Sequence, residues 1–149
     1  MNKIRVLIID EHPVVCQALA LRLDAVPCIS VVGSICEFNA GLSDATNLQP
    51  DVILLELKTR PDRRSRGSSL NPVKAISSLL SSSHSGVIVL TSYLDESERD
   101  EALEAGAKRY LLKDIDTSRL IAEIEAVAHA IPPIPSQAHR IDSQNSKQV

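Results

Sequence analysis

Two kinds of segment alternate along this chain: short β-branched apolar runs, and longer stretches whose apolar residues recur every three or four positions. The runs at residues 4–9, 30–32, 52–55, 87–90 and 109–112 predict five strands, mostly apolar on both faces, as a parallel sheet covered on both sides requires. Between the first two, Val14, Val15, Leu19, Leu21 and Leu23 predict a helix. Pro13 opens it, where a missing amide costs nothing, and Pro27 marks its end. A weaker second helix spans 38–48, and Asn71-Pro72 supplies an N-cap and first turn for a third through Ala75, Ile76, Leu79 and Leu80, broken by 81–86. Asp95 or Glu96 starts a fourth helix that ends near Gly106; Asp116 or Thr117 caps a fifth carrying Leu120, Ile121, Ile124 and Val127. The expected fold is α/β: a (βα)5, doubly wound, five-stranded parallel sheet over residues 1–130. From 131 to 149 the pattern stops. Pro132-Pro133-Ile134-Pro135-Ser136 and the Gln, Ser and Asn that follow predict a flexible tail or linker, a tether to something further.

Composition narrows the picture. With 149 residues at 44% hydrophobic content, the chain suits one domain with its own core. Sixteen Lys and Arg against 19 Asp and Glu leave a net charge of -3, which gives no general basic field for nucleic acid. Phe38, Tyr93 and Tyr110 are the only aromatic residues, so platforms for stacking bases are also missing. No apolar run approaches the roughly 20 residues of a membrane span, and Met1-Asn2-Lys3 enters the first strand without a cleavage pattern, so a cytoplasmic protein is expected. Cys16, Cys28 and Cys36 are odd in number, lack zinc-ligand or CxxC spacing, and are expected as free thiols.

Loops leaving the C-terminal strand ends of such a sheet converge on one edge, where sites form. Asp10 and Glu11 follow the first strand, Glu56 the third, Thr91 and Ser92 the fourth, and Lys113 the fifth. Like charges about 4 Å apart repel by on the order of 4 kcal/mol at an intermediate dielectric, so three acids need compensation. Lys113 supplies one positive charge, and a hard divalent cation such as Mg2+ could supply two more. Thr91 could offer its hydroxyl to an anion lying between them.

These positions, together with the runs 4–13, 50–57, 89–92 and 105–114, carry a resemblance to the receiver domain of two-component response regulators over residues 3 to about 130. The acid-acid-His-Pro opening, Asp10-Glu11-His12-Pro13, and the ending Leu111-Leu112-Lys113-Asp114 most resemble regulators whose receiver precedes a LuxR-type helix-turn-helix domain. The resemblance implies that Asp10 and Glu11 match the Mg2+-coordinating acids, Thr91 and Tyr110 the switch pair, and Lys113 the phosphoryl-contacting lysine. It implies a homodimer as well, paired through helices 1 and 5 or through helix 4, strand 5 and helix 5. A histidine kinase or other regulatory protein is the implied partner, with DNA contacted only through a separate helix-turn-helix domain.

Glu56 departs from the pattern, because it stands where the family has its phosphoacceptor aspartate. In-line phosphotransfer depends on positioning, and an added methylene misplaces the attacking oxygen. The expectation is an atypical receiver, or pseudo-receiver, independent of phosphorylation, in which Glu56 places a carboxylate near Lys113 and Thr91 and mimics a phosphoryl group in part. A second departure is the long stretch 58–69, with Arg60, Arg63, Arg64 and Arg66, which could bind an anionic partner or neutralise the acids. His12 is expected to shape the first turn rather than act as a ligand.

Two other classes compete. A Mg2+-dependent phosphotransfer enzyme of similar fold would also use acids and a lysine at strand ends, but Leu57-Lys58 brings no acid two positions after Glu56. A flavodoxin-like cofactor binder would need a phosphate-cradling loop after strand 1, where Asp10-Glu11 repels phosphate. The expected protein is a signalling module and not an enzyme.

Overall fold

A computed structural model describes residues 2–57 and 71–130. The predicted tail at 131–149 and the arginine-rich stretch at 58–69 lie outside the described residues. Elements follow in strict alternation: β1 (Ile4–Ile9), α1 (Pro13–Asp24), β2 (Ile29–Ile35), α2 (Phe38–Leu48), β3 (Val52–Glu56), α3 (Pro72–Ser82), β4 (Gly86–Thr91), α4 (Glu96–Ala105), β5 (Arg109–Leu112) and α5 (Thr117–Ala130). The strands form one parallel sheet in the order β2-β1-β3-β4-β5, the expected (βα)5 architecture.

Strand periodicity sorts the core into two layers. Val6, Ile8, Leu54, Ile88 and Leu90 point to one face and pack with Leu19 and Leu23 of α1 and Leu120, Ile124 and Val127 of α5. Their neighbours Leu7, Ile9, Ile53, Leu55, Val87 and Val89 point to the other face, against Ala45 of α2, Ile76 and Leu79 of α3 and Ala102 of α4. Strands covered on both sides have no polar face, which explains why β3 and β4 are apolar throughout until Glu56 and Thr91.

Three local expectations change. β2 is longer than residues 30–32, running Ile29–Ile35, because it is an edge strand whose ladder bonds to β1 tolerate Gly33 and Ser34. At Gly33 the register with β1 shifts between Val6 and Leu7, and a Cβ there would meet Leu7 Cδ1 at 2.7 Å. In α1 the buried side chains are Cys16, Leu19 and Leu23, whereas Val14 and Leu21 lie 78% and 75% exposed on the opposite side. Apolar spacing gave the helix but not its inward face. α3 extends through Ser82, past the expected break, with the Ser82 hydroxyl donating to Ser78 O and the Ser83 hydroxyl to Leu79 O.

Helix termini match their sequence signals. The Asn71 side chain accepts from the Val73 and Lys74 amides, and Asp95 accepts from Glu98 N at 3.0 Å. Gly106 ends α4 at φ 117°, a left-handed conformation that L side chains resist. Cys16, Cys28 and Cys36 are free thiols, as expected.

Candidate functional site

The C-terminal ends of β1, β3 and β5 bring three charged side chains into contact. Backbone bonds fix where they emerge: the Asp10 amide donates to Ile35 O at 3.0 Å, and the Lys113 amide donates to Thr91 O at 2.8 Å. The Lys113 ammonium lies 2.9 Å from Asp10 Oδ2 and forms an ion pair with Glu56 Oε2. His12 Nδ1 holds the remaining oxygens, 3.3 Å from Asp10 Oδ1 and 3.2 Å from Glu56 Oε1. Each carboxyl thus faces the lysine with one oxygen and the imidazole with the other. Asp10 and Glu56 side chains are 4% and 5% exposed, against 57% for His12, so the ring forms the solvent side of a buried acid pair.

Two carboxyl groups this close share protons unequally. Burial raises the Glu56 pKa above its usual value, and its hydrogen bond to Asp10 adds to the rise, with Lys113 opposing. Burial pushes Asp10 the same way, but hydrogen bonds from Glu56, the His12 amide and Lys113 outweigh it and leave Asp10 lowered. Asp10 is therefore the better anion, and Glu56 carries more of the neutral form at any given pH. Lys113 neutralises the site from within, as the strand-end reading required.

Thr91 and Tyr110, the expected switch pair, lie on the neighbouring strands β4 and β5. The Thr91 hydroxyl donates to Tyr93 O at 3.0 Å and accepts from the Tyr93 amide at 3.1 Å, an engagement with its own loop. Tyr110 is buried, and its hydroxyl donates to Glu98 Oε1 at 2.7 Å while accepting from the Asp95 amide at 3.3 Å. Burial, then the Glu98 bond, pushes the Tyr110 phenol up to about 12. β5 is thereby bonded to the first turn of α4.

Glu11 lines a small pocket with Ile9, Phe38, Leu55, Glu56, Leu57 and Ala75, while Asp10, His12 and Glu56 hold ligand-type atoms within 4.8 Å of one another. Asp10 belongs both to this group and to the acidic pair expected to hold Mg2+, and Glu11 stands next to it in the chain. The two carboxylates are hard oxygen donors of the kind Mg2+ takes. The imidazole nitrogen is of a kind that transition ions take.

Sequence reasoning undervalued two residues. His12 does shape the turn, its amide donating to Asp10 Oδ1 at 2.9 Å, but its ring also joins the site. Its place two residues after Asp10 was the available signal. Glu98 gave none, because a glutamate in so polar a helix reads as solvated, yet it is 6% exposed.

With this geometry in place, the chain's family is defined: residues 6–125 match the response regulator receiver domain, and the protein belongs to that family. Among curated relatives it is 35% identical over 134 residues to the transcriptional regulatory protein LiaR of Bacillus subtilis (strain 168), covering 90% of this chain and 60% of that one. It is 32% identical over 124 residues to the nitrate/nitrite response regulator protein NarL of Escherichia coli (strain K12), covering 83% and 54% respectively. The chain thus spans between half and two thirds of the length of these relatives. The solved signal receiver domain of NarL from Mycobacterium tuberculosis superposes with a TM-score of 0.75 at 21% identity, covering 87% of this chain and 99% of that chain, a likeness of fold. The protein is a receiver domain of the response regulator type found in LiaR and NarL.

Proposed function

We propose that this receiver works without phosphorylation, passing a signal to a transcriptional output through dimerisation or partner contacts. The observation that carries this reading is the engagement of both Glu56 oxygens, Oε2 with Lys113 and Oε1 with His12. An acceptor must present a free, ionised oxygen in line with a donor phosphoryl group. The Glu56 side chain is 5% exposed, and burial raises its pKa above the ordinary value while Lys113 opposes the rise. Its carboxyl sits against the lysine that a phosphoryl group would otherwise contact, which supports partial mimicry with one charge instead of about two. The inward, hydrogen-bonded Tyr110 supports a receiver held in one arrangement of β5 and α4.

LiaR is named a transcriptional regulatory protein, and response regulators of this kind work with histidine kinases and DNA-binding output domains. We extend that to this chain: a homodimeric, cytoplasmic regulator rather than an enzyme, with DNA contacted through a helix-turn-helix domain. Among the described residues no helix is long and apolar enough to cross a membrane. A Mg2+ ion held by Asp10 and Glu11 would add positive charge beside any anion entering the site. The chain's own residues already do part of this, Lys113 balancing the acids and orienting both carboxyls.

The test is incubation with acetyl phosphate or beryllofluoride, read by intact mass and NMR. The parent protein is expected to remain unmodified and its spectrum unchanged, while Glu56→Asp gains a phosphoryl group. A stoichiometric, Glu56-dependent adduct in the parent would overturn the proposal.

A further inference from the structure

We propose that Cys16 and Cys36 form a reversible intramolecular disulfide when the protein meets hydrogen peroxide, a redox latch between α1 and the junction of β2 with α2. Position along the sheet is the first support. Ser34 pairs with Ile8, whose side chain packs with Cys16 of α1, and Cys36 follows two residues on, the spacing that returns a strand to the same face. Cys16 lies on the inward side of α1 against that stretch, its Sγ 2.9 Å from Ser34 Oγ and 3.8 Å from Ile35 O. The Ile35 carbonyl belongs to the peptide that carries the Cys36 amide, and standard bond lengths put the Cys36 Cα about 2.8 Å from that oxygen. Cys16 Sγ is therefore within about 7 Å of the Cys36 Cα, so turning the Cys36 side chain with a small shift of its backbone brings the two sulfurs to bonding distance.

The two thiols differ in the way such a reaction needs. Cys36 is exposed and meets the oxidant, whereas Cys16 is buried and meets only its neighbours. Burial raises the Cys16 pKa, the Ser34 hydroxyl opposes the rise, and the charges of Asp10 and Cys36 add to it, so Cys16 is the resolving thiol and not the one that reacts first. The Cys36 thiolate attacks one peroxide oxygen, the O–O bond breaks, and the departing hydroxide takes up the thiol proton as water, leaving Cys36 as a sulfenic acid. The Cys16 sulfur then attacks the Cys36 sulfur, its proton passes to the leaving hydroxyl, and a second water departs. Two thiols and one peroxide thus give one disulfide and two waters, and a thiol reductant reverses the bridge by exchange.

Cys28 is set apart by distance and by its own contact. The seven residues of β2 lie between Cys28 and Cys36 and separate them by about 20 Å or more. Its thiol donates to Glu125 Oε2 of α5 at 3.5 Å. The bridge reaches the strand-end site through the backbone: Ile35 O accepts the Asp10 amide at 3.0 Å, so a covalent tie at residue 36 bears on the strand end from which Asp10 emerges. The inference does not depend on whether residue 56 accepts a phosphoryl group.

Treatment of the reduced protein with a small molar excess of hydrogen peroxide, followed by alkylation, intact mass and non-reducing peptide mapping, measures this directly. The parent and Cys28→Ser are each expected, as monomers, to lose the mass of two hydrogens and two alkylatable thiols, to yield a linked Cys16–Cys36 peptide, and to regain both thiols with dithiothreitol. Cys36→Ser, an exposed change that leaves the core untouched, is expected to keep both of its remaining thiols. In Cys16→Ser, Cys36 is expected to stop at a sulfenic acid that dimedone captures. Three free thiols in the treated parent, a bridge that includes Cys28, a link only between chains, or oxidation of Cys36 to a sulfinic acid in place of the bridge would overturn the latch.

Discussion

Each Glu56 oxygen already has a partner, and this governs what the residue can do. Lys113 is the hinge of the arrangement, since it is the cation shared by two buried carboxyls. Removing one partner of a buried ion pair leaves charge without compensation, at a cost of about 3 kcal/mol or more. Lys113→Ala is expected to lower the urea unfolding free energy by that amount near neutral pH, and by less in a Glu56→Gln background, where one acid is already neutral. The pH dependence has a definite sign. Asp10 is depressed in the folded state, so its contribution is complete above its ordinary value of 3.8 and is lost as pH falls through the lower folded value. Glu56, raised above 4.5, contributes with the opposite sign, its stabilisation fading as pH climbs through the folded value. The gap between parent and Lys113→Ala should therefore narrow in acid; a gap independent of pH would argue against the shared-cation account. Asp10, Glu56 and Lys113 were legible as a charge set from strand-end positions alone. His12 was not, because sequence places it in a turn and cannot say which way its ring swings.

At the scale of elements, α4 and β5 are joined by polar bonds where the other helices use apolar packing. Only Glu98 and Ala102 of α4 are buried, and Tyr110 reaches from β5 to Glu98 and to the Asp95 amide at the helix start. A buried phenol bonded to a carboxyl ionises late. Stabilisation from this contact is full below the ordinary value of 10 and disappears as pH rises toward the folded value of about 12. With Tyr93 replaced by Phe, Tyr110 is the chain's one tyrosine, and absorbance titration should give a midpoint near 12 instead of 10. Glu98→Gln should bring it down. The helices themselves were predictable from caps and proline positions: Asn71-Pro72, Asp95 and Gly106 each stand at the termini their chemistry favours. The inward face of α1 was not, since eight apolar residues share the helix and only contact with the sheet selects Cys16, Leu19 and Leu23.

For the molecule as a whole, the discarded half of that selection matters. Val14 and Leu21, seven residues apart and so on one side of α1, face outward and are among the most exposed large apolar side chains. In the homodimer proposed above, an interface through α1 would bury them. Leu21→Asp is expected to weaken self-association in sedimentation experiments by tenfold or more while leaving the melting curve nearly unchanged, since a surface substitution is ordinarily worth under about 0.5 kcal/mol of stability. Association equal to the parent's would exclude this face. By itself, the sequence determined the alternation of elements, the two-sided sheet and the gathering of acids and lysine at one edge, because apolar period and chain order act locally and along the strand. Tertiary structure alone decided which oxygen of each carboxyl meets the lysine, that the His12 ring joins the group, and that Glu98 is buried and bonded to Tyr110. Those outcomes depend on rotamers and on distances between residues 44 or more positions apart in the chain, as for His12 and Glu56, or on packing against a neighbouring element, which no local pattern encodes.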